Sequence, residues 1–586
     1  MKRWPILMFW LLLWLPFAAS ALPHLELDVR LDPNTREFEA TATLRDEKDL
    51  RGFRLGQDYA IVALKLDGKP AESRRWRNGF PLPAGTRQIE VTYRATLKPT
   101  PSLDHREVLA QRGGTASAEG SFLPASAGWY PDPGVLFSYR ATLNLPAGQK
   151  GLVPGDLREE SDTPAGYRAV FDFPQPADGI DLMAGPYVLG ERPLALGKRS
   201  IRLRTWFHPG LEEFSQPYLD DAGRYIERYA ALIGDYPFGM FSIVSSPTPT
   251  GYGMPGLTYL GREVIKLPFI RATSLGHEVL HNWWGNGVYP DWQGGNWSEG
   301  LTTFLADYAY KEDEGEHAAR EMRIGWLRDY AAVPPGEDFA LKDFTARHHG
   351  IASIIGYNKA AMVFLMLRDK IGRDAFERGL RLLWERKRFR TASWNDLEAA
   401  FSAAAGQPLA AFFRQWVTQA GAPPFTGKDP DFRVWRRVEP AVFPPILREV
   451  FVAPQAGLIV TDGELRPVAE SLSRRVLDAK PASVANVLPA RDPLLVIGLE
   501  RSVDAWLAAQ GWSARPSPAR GTAQVWAARD PLGRPYVIVS AHDAAALAAL
   551  QRGLPHYGKQ SWLVFEGARA AEKGVWPPRS SHGKSE

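Results

Sequence analysis

Apolar and polar residues alternate one by one in short stretches over the first third of the chain. Residues 25–29 read Leu-Glu-Leu-Asp-Val, and residues 88–93 read Gln-Ile-Glu-Val-Thr-Tyr. Gly, Pro and Asp residues interrupt these stretches at short intervals. Period-two alternation between turns is typical of antiparallel strands with one buried face. We therefore predict an N-terminal antiparallel β domain over residues 22–195.

The apolar spacing changes twice further along. From residue 214 to about 423, segments such as 369–384 and 394–416 carry apolar residues three and four positions apart, which predicts helices and a mainly helical domain over residues 196–425. Beyond it, apolar runs at 494–498, 536–540 and 562–565 alternate with helix-like segments, which predicts a small α/β domain with a parallel sheet over residues 426–576. Residues 577–586 are rich in Pro, Ser, Lys and Gly, and we expect a disordered tail. The predicted fold class is thus multidomain α+β.

The first 21 residues have the features of a secretory signal peptide. Lys2 and Arg3 precede an apolar run over residues 4–15, and Ala19-Ser20-Ala21 provides small residues for cleavage. We expect cleavage after Ala21 and export, to the periplasm. The alternative is an uncleaved membrane anchor, because residues 4–22 approach the ~20 residues that span a bilayer.

Composition narrows the classes of partner and ligand. The net charge is +4 over 586 residues and no long Lys/Arg run occurs, so a nucleic-acid partner is not indicated. The chain contains no cysteine, which excludes disulfides and thiolate metal ligands. Any metal site must therefore use histidines and carboxylates. The oligomeric state is not indicated.

The pattern His277-Glu278-Val279-Leu280-His281 predicts a metal site. On a helix, residues four apart lie one turn above each other, so both imidazoles can bind one Zn²⁺ at ~2.0–2.1 Å. Glu278 lies beside the metal, where a carboxylate can accept a proton from an attacking water. The alternative without a function is a chance match to this pattern on an amphipathic helix.

Glu299 is the best candidate for the third ligand. Residues 296–308 predict a helix with Ser298 as N-cap, which places Glu299 in the first turn. Two histidines and one glutamate leave a position for water or substrate, as in catalytic zinc sites. Thr303 and Asp307 follow Glu299 on this helix and could orient a ligand.

These motifs resemble the aminopeptidase N family of gluzincin zinc metallopeptidases. The zinc segment is followed by Trp283-Trp284-Gly285-Asn286, by Asp291-Trp292 and by Glu299-Gly300, as in that family. The interval from His281 to Glu299 is one residue shorter than is usual there. The resemblance implies one Zn²⁺ per chain, a saddle-like β domain and a thermolysin-like peptidase domain over residues 196–425. It does not extend to residues 426–586.

A second segment carries the resemblance further. Residues 356–363 are similar to the family's Tyr-x-Lys-Gly-Ala segment, with Ala360 in place of the glycine. The resemblance implies that Tyr357 donates a hydrogen bond to the developing oxyanion. Taken alone, a tyrosine on an apolar helix is more often a core residue.

One segment departs from the family pattern. Where family aminopeptidases have Gly-x-Met-Glu-Asn, whose Glu binds the substrate α-amino group, this chain keeps Met254 but has Pro255 and Gly256. Either Glu263 or Asp291 could replace the missing carboxylate, or the enzyme could cleave internal bonds. Main-chain groups at Gly253, Met254 and Gly256 could align an extended substrate, although the segment could equally be a simple turn.

The sequence thus predicts an exported zinc-dependent peptidase that acts on peptides or proteins. Two alternatives stay open. One is a hydrolase of a non-peptide substrate on the same site, and the other is a zinc-containing, non-catalytic binding protein of the cell envelope that engages its partner through the C-terminal domain.

Overall fold

A computed structural model describes residues 22–76, 79–101, 113–345, 350–421, 443–478 and 492–577. The expected signal peptide and nearly all of the expected tail lie outside these residues. The chain divides into two compact units, the first ending at Tyr187 and the second starting at Val188. This boundary lies before the one expected after residue 195, because strand Val188–Leu196 pairs along its whole length with Arg199–Phe207 of the second unit.

The first unit is built on an eight-stranded sheet. The alternating residues Leu25, Leu27 and Val29 are at most 3% exposed, so the period-two pattern does mark the buried face. The prediction of a purely antiparallel sheet is wrong, however, because strand His24–Asp32 runs parallel to Phe137–Leu145. Alternation specifies which face is buried and carries no information on strand direction. In spatial order the strands are Asp156–Thr163, Gly166–Ala177, Phe137–Leu145, His24–Asp32, Glu37–Arg45, Gln88–Thr96, Ala60–Leu66 and Lys69–Pro70.

The described part of this unit also contains shorter elements. They form a five-stranded sheet, a two-stranded sheet and one 3₁₀-helix at Ala125–Ala127. The five strands are Lys150–Leu152, Leu182–Gly185, Ser121–Leu123, Thr115–Ala116 and Lys98–Pro99, and the two are Gly52–Arg54 and Gly79–Pro81.

The second unit opens with a mixed five-stranded sheet. Its spatial order is Val188–Leu196, Arg199–Phe207, Met240–Ser246, Leu257–Gly261 and Gly251–Met254. The last strand is an edge strand that runs antiparallel to Leu257–Gly261. It lies next to the zinc-motif helix described below.

A helical region follows this sheet, as the three- and four-residue spacing predicts. Three of its helices contain a π-helical turn, at Ile270–Ser274, Phe304–Tyr308 and Ile354–Lys359. The α-helical segments are Glu212–Ile233, Arg262–Ile265, Leu275–Leu280, Ser298–Thr303, Ala309–Glu314, Glu316–Ala331, Ile351–Ser353, Ala360–Ile371, Arg373–Lys387, Trp394–Ala405 and Ala410–Val417. A 3₁₀-helix at Leu341–Asp343 and a parallel strand pair, Tyr289–Pro290 with Thr391–Ala392, join these segments.

One helix in the described part of the chain, Ile351–Ile371, is long and apolar enough to cross a membrane. Its most apolar window is 72% buried inside the protein, as expected of a core helix. Burial among other helices accounts for its composition.

The C-terminal part contains a six-stranded sheet with helices on it. Three neighbouring strands are parallel, but the others are antiparallel, so the expectation of a parallel sheet is only partly correct. The strands in spatial order are Gly457–Val460, Leu494–Leu499, Pro535–Ala541, Ala523–Arg529, Trp562–Glu566 and Arg569–Gly574. The helices are Arg448–Phe451, Arg466–Val476, Glu500–Ala509 and Ala544–Gly553, with 3₁₀ turns at Gly463–Leu465 and Leu554–Tyr557.

Candidate metal centre

Two consecutive helical segments bring the three expected ligands together. His277 lies on Leu275–Leu280 and His281 caps its C-terminal end. Glu299 lies in the first turn of Ser298–Thr303. The prediction of Ser298 as N-cap is wrong, because the helix begins at Ser298 and the Ser298 hydroxyl donates to Asn296 Oδ1. One ligand atom from each residue falls within 4.8 Å of the other two.

The three ligand atoms form a nearly regular triangle. His277 Nε2 and His281 Nε2 are 3.2 Å apart, and Glu299 Oε2 is 3.6 Å from the first and 3.3 Å from the second. Ligands on a tetrahedral ion at ~2.0–2.1 Å are about 3.3–3.4 Å apart, so these distances match one face of a zinc tetrahedron. Nitrogen and carboxylate donors are also ligands that Zn²⁺ accepts.

The other nitrogen of each imidazole is held by the protein. His277 Nδ1 lies 2.7 Å from Asp307 Oδ2, and His281 Nδ1 lies 2.9 Å from the carbonyl oxygen of Trp284. Both of these partners are acceptors, so each Nδ1 carries the proton and each Nε2 presents its lone pair to the common point. The imidazoles are therefore set in the tautomer that binds a metal.

Electrostatics around the triangle favour a cation. Burial lowers the pKa of His277, but the carboxylates of Asp307, Glu299 and Glu278 together raise it well above its usual value. Burial likewise lowers the pKa of His281, and Glu299 more than offsets that effect, so its pKa is raised. Burial raises the pKa of Glu299, but the two imidazoles outweigh it and hold that pKa well below its usual range. The site thus holds positive charge tightly, either as protons or as a divalent ion.

A π-helical turn places Asp307. Eight α-helical residues make about 2.2 turns, which would put Asp307 about 80° round the helix from Glu299. The turn Phe304–Tyr308 is wider, which reduces this offset and lets both carboxylates reach His277. Thr303 is the other residue that could orient a ligand, but its buried hydroxyl makes no hydrogen bond within the described residues.

Glu278 lies against the edge strand. A Cβ atom on Gly253 would come 2.5 Å from Glu278 Oε2, closer than side-chain carbons approach. The carboxylate therefore occupies the space that a side chain at position 253 would fill. Met254 next to it is 7% exposed and belongs to the core.

The turn after this strand is fixed to the zinc-motif helix. Gly256 adopts a left-handed backbone conformation with φ of 71°, and its N–H donates to Asn282 Oδ1 at 2.8 Å. Asn282 is fully buried and follows His281 directly. The Pro255-Gly256 turn is thus a structural link between edge strand and metal helix. Sequence reasoning missed Asn282, since an asparagine beside the motif has no distinctive spacing.

Tyr357 lies near the triangle. Its ring is 6.5 Å from the His277 ring and nearly parallel to it, and the Phe344 ring lies 6.1 Å away in an edge-to-face arrangement. Tyr357 is half-buried, whereas Ile355 and Ala361 on the same helix are fully buried. The helix therefore belongs to the core, but its tyrosine reaches the site.

The two carboxylates considered as replacements for the missing amine-binding glutamate have other partners. Glu263 forms an ion pair with Lys266 at 2.9 Å and its side chain is 72% exposed. Asp291 accepts a hydrogen bond from the Gln293 N–H at 3.2 Å. Neither contact involves the triangle or the edge strand.

A His-Glu-x-x-His helix, with a glutamate from the next helix and an antiparallel edge strand beside it, defines a gluzincin metallopeptidase site. Residues 271–416 match the Peptidase family M1 domain. The match covers 146 of the chain's 586 residues and supports a zinc metallopeptidase similar to the aminopeptidase N family of gluzincins, and the matched family implies Zn²⁺ as the cofactor.

Named relatives agree with this assignment. The chain is 32% identical to aminopeptidase N of Escherichia coli over 162 residues, which are 26% of this chain and 18% of that protein. It is 30% identical to aminopeptidase N of Haemophilus influenzae over 276 residues, 43% of this chain and 31% of that protein. The chain thus spans only 16% to 31% of the length of the curated relatives it matches.

The fold also has solved counterparts. The crystal structure of an M1 zinc metallopeptidase from Deinococcus radiodurans aligns with a TM-score of 0.57 and 19% sequence identity, covering 70% of this chain and 96% of that one. At this identity the likeness shows the fold: a large β-sheet domain with a helical domain, in a multidomain α+β protein.

Proposed function

We propose that this protein is a zinc-dependent peptidase in which Glu278 is the general base. The observation that carries the proposal is the triangle of ligand atoms, with sides of 3.2, 3.3 and 3.6 Å, together with the acceptors that hold both Nδ1 atoms. The triangle leaves one tetrahedral position for water or substrate, which is the arrangement of catalytic zinc sites.

Each residue has a part in hydrolysis. Zn²⁺ held by His277, His281 and Glu299 would lower the pKa of a water and polarise the substrate carbonyl. Glu278 Oε2 accepts the proton of the attacking water and then passes it to the leaving nitrogen. The Tyr357 hydroxyl donates a hydrogen bond to the carbonyl oxygen as negative charge develops on it.

The edge strand aligns the substrate. Gly251–Met254 pairs on one side with Leu257–Gly261, and in the order of the sheet no described strand follows on its other side. An extended peptide can add there by main-chain hydrogen bonds. This mode of binding places a scissile carbonyl beside Glu278, which contacts Gly253.

Glu278→Gln tests the role of the base. The variant is expected to bind one equivalent of zinc, because the side chain at position 278 is not a metal ligand, and to lose hydrolysis by at least roughly a hundredfold. The matched control is Glu227→Gln, an exposed glutamate on Glu212–Ile233 that should leave activity unchanged. Turnover retained in Glu278→Gln would refute the proposed base.

A peptide library separates exopeptidase from endopeptidase activity. Free and N-acetylated versions of each peptide are incubated with the enzyme, with and without a chelator, and cleavage sites are read by mass spectrometry. Chelator-sensitive cleavage supports the peptidase. A requirement for free N-termini supports an aminopeptidase, and cleavage of blocked peptides supports internal cleavage. Absence of any cleavage would favour the non-peptide hydrolase or the binding protein.

We also propose that the protein is exported. The support is the basic start, the apolar run and Ala19-Ser20-Ala21 at residues 1–21. Cell fractionation and N-terminal sequencing of the mature protein test this proposal. A periplasmic protein that begins at Leu22 is expected, and a membrane-bound chain that retains residues 1–21 would support the anchor instead.

A further inference from the structure

The C-terminal α/β domain lies outside the M1 match at 271–416 and takes no part in the hydrolysis proposed above. Within the second unit, several of its residues contact the part of the peptidase domain that carries Tyr357. The segment in question, here called the tyrosine helix, is Ile351–Ile371 with its π-helical turn Ile354–Lys359.

The first contact is a buried charge cluster. Asp329, on Glu316–Ala331, is completely buried. Its Oδ2 accepts a hydrogen bond from Asn358 Nδ2 at 2.9 Å and forms ion pairs with Arg448 Nη1 at 3.1 Å and Lys559 Nζ at 3.5 Å. Arg448 and Lys559 belong to the C-terminal domain, and Asn358 is the neighbour of Tyr357. One carboxylate thus joins the C-terminal domain to the residue beside the tyrosine.

The second contact is apolar. Val452, one residue beyond the helix Arg448–Phe451, packs with Val333 and Ile354 in a small cluster separate from the C-terminal core. Ile354 is fully buried and opens the π-helical turn that carries Tyr357. The half-buried Ile351 and Tyr330 pack against the same cluster.

The third contact is at the start of the tyrosine helix. Gly350 precedes the helix with φ of 83°, and a Cβ atom there would overlap Asp478 Oδ2 of the C-terminal domain. The Asp478 carboxylate therefore lies against the backbone of Gly350, just before the first residue of the helix. A side chain at position 350 would displace this carboxylate.

We infer that the C-terminal domain is a brace that positions Tyr357, with Arg448 and Asp329 as positioning residues. A π-helical turn is rarer than an α-helical one and depends on its surroundings. The charge cluster and the apolar cluster hold this turn at two of its residues, Asn358 and Ile354. An unpaired buried carboxylate would be costly, so Asp329 keeps Arg448 and Asn358 in one arrangement. This inference rests on the proposed peptidase function, because only that function gives Tyr357 a role in catalysis.

The test uses Arg448→Met in the full-length zinc protein, in the wild-type and in the Tyr357→Phe background. Misplacing a catalytic group by ~1 Å can cost about a hundredfold in rate. We expect kcat to fall roughly ten- to hundredfold with KM and zinc content nearly unchanged. Arg448→Lys should restore most of kcat, because an ammonium can still reach Asp329. In the Tyr357→Phe background, Arg448→Met should change kcat less than about twofold, since the group that it positions is gone.

Arg515→Met is the matched control. Arg515 is a buried arginine of the same domain, with 7% of its side chain exposed, and it pairs with Asp504 at 3.0 Å within that domain. It should leave kcat unchanged. If Arg448→Met fails to fold, Val452→Ala removes the apolar contact instead and is expected to show the same dependence on Tyr357.

A measurement independent of activity tests the brace separately from the proposed peptidase function. With 3-fluorotyrosine at position 357, the ¹⁹F resonance should shift or broaden in Arg448→Met and not in Arg515→Met. An unchanged resonance, or an equal loss of kcat in both backgrounds, overturns the brace. A wild-type protein that cleaves no peptide, or a Tyr357→Phe variant as active as wild type, refutes the proposed function or the role of the tyrosine while the resonance still reports on the brace.

Discussion

Gly253→Ala is expected to disable the general base without removing the metal. A Cβ at this position would lie 2.5 Å from Glu278 Oε2, 3.5 Å from His281 Cβ and 3.6 Å from His281 Cδ2. The last two are ordinary van der Waals distances, so the imidazole can stay. The carboxylate must retreat by about 1 Å to reach such a distance, and a displacement of this size costs about a hundredfold in rate. That factor corresponds to about 2.7 kcal/mol of transition-state stabilisation.

Gly251→Ala is the matched control. Positions 251 and 253 lie two apart on the same strand and therefore on the same face. The nearest atom to a Cβ on Gly251 is Leu260 Cδ2 at 3.9 Å, so this alanine fits. Steady-state kinetics on a cleaved library peptide and zinc analysis should show full zinc in both variants and a loss of kcat only in Gly253→Ala. Wild-type kcat in Gly253→Ala, or equal losses in both, would refute the reasoning.

Three further outcomes follow from the structure. Asp307→Asn should weaken zinc binding roughly ten- to hundredfold, because the amide orients His277 less strongly than the carboxylate does. Competition with a chromogenic chelator measures the zinc affinity, and an unchanged affinity would show that Asp307 does not support the metal site. Zinc affinity should fall as pH drops through the raised pKa values of His277 and His281, by up to about tenfold per pH unit for each proton displaced, and a pH-independent affinity would show that zinc and protons do not compete for these imidazoles. Ser393→Ala should lower the free energy of unfolding by about 1 kcal/mol with activity unchanged, because it removes the capping box of the helix Trp394–Ala405. Thermal melting checks this, and an unchanged melting temperature would show that the cap does not stabilise the protein.

Local pattern alone revealed much of this protein. The spacing of His277 and His281 places two imidazoles on one helix face, and the apolar spacing after Ser298 places Glu299 in the first turn of the next helix, although Ser298 is not its N-cap. These inferences depend on the helical repeat, which neighbouring residues determine. Alternation likewise located the buried face of the first sheet, since a strand turns every second side chain to the same side.

Other features depended on residues distant in the chain. The parallel pairing of His24–Asp32 with Phe137–Leu145 and the mixed C-terminal sheet involve partners that alternation does not specify. The contact of Gly253 with Glu278 and the ion pair of Asp329 with Arg448 join separate segments, and nothing in either segment alone distinguishes them. These side chains come together only in the folded protein, because close packing depends on residues from the whole sequence. A helical or strand repeat depends only on residues close to each other in the chain.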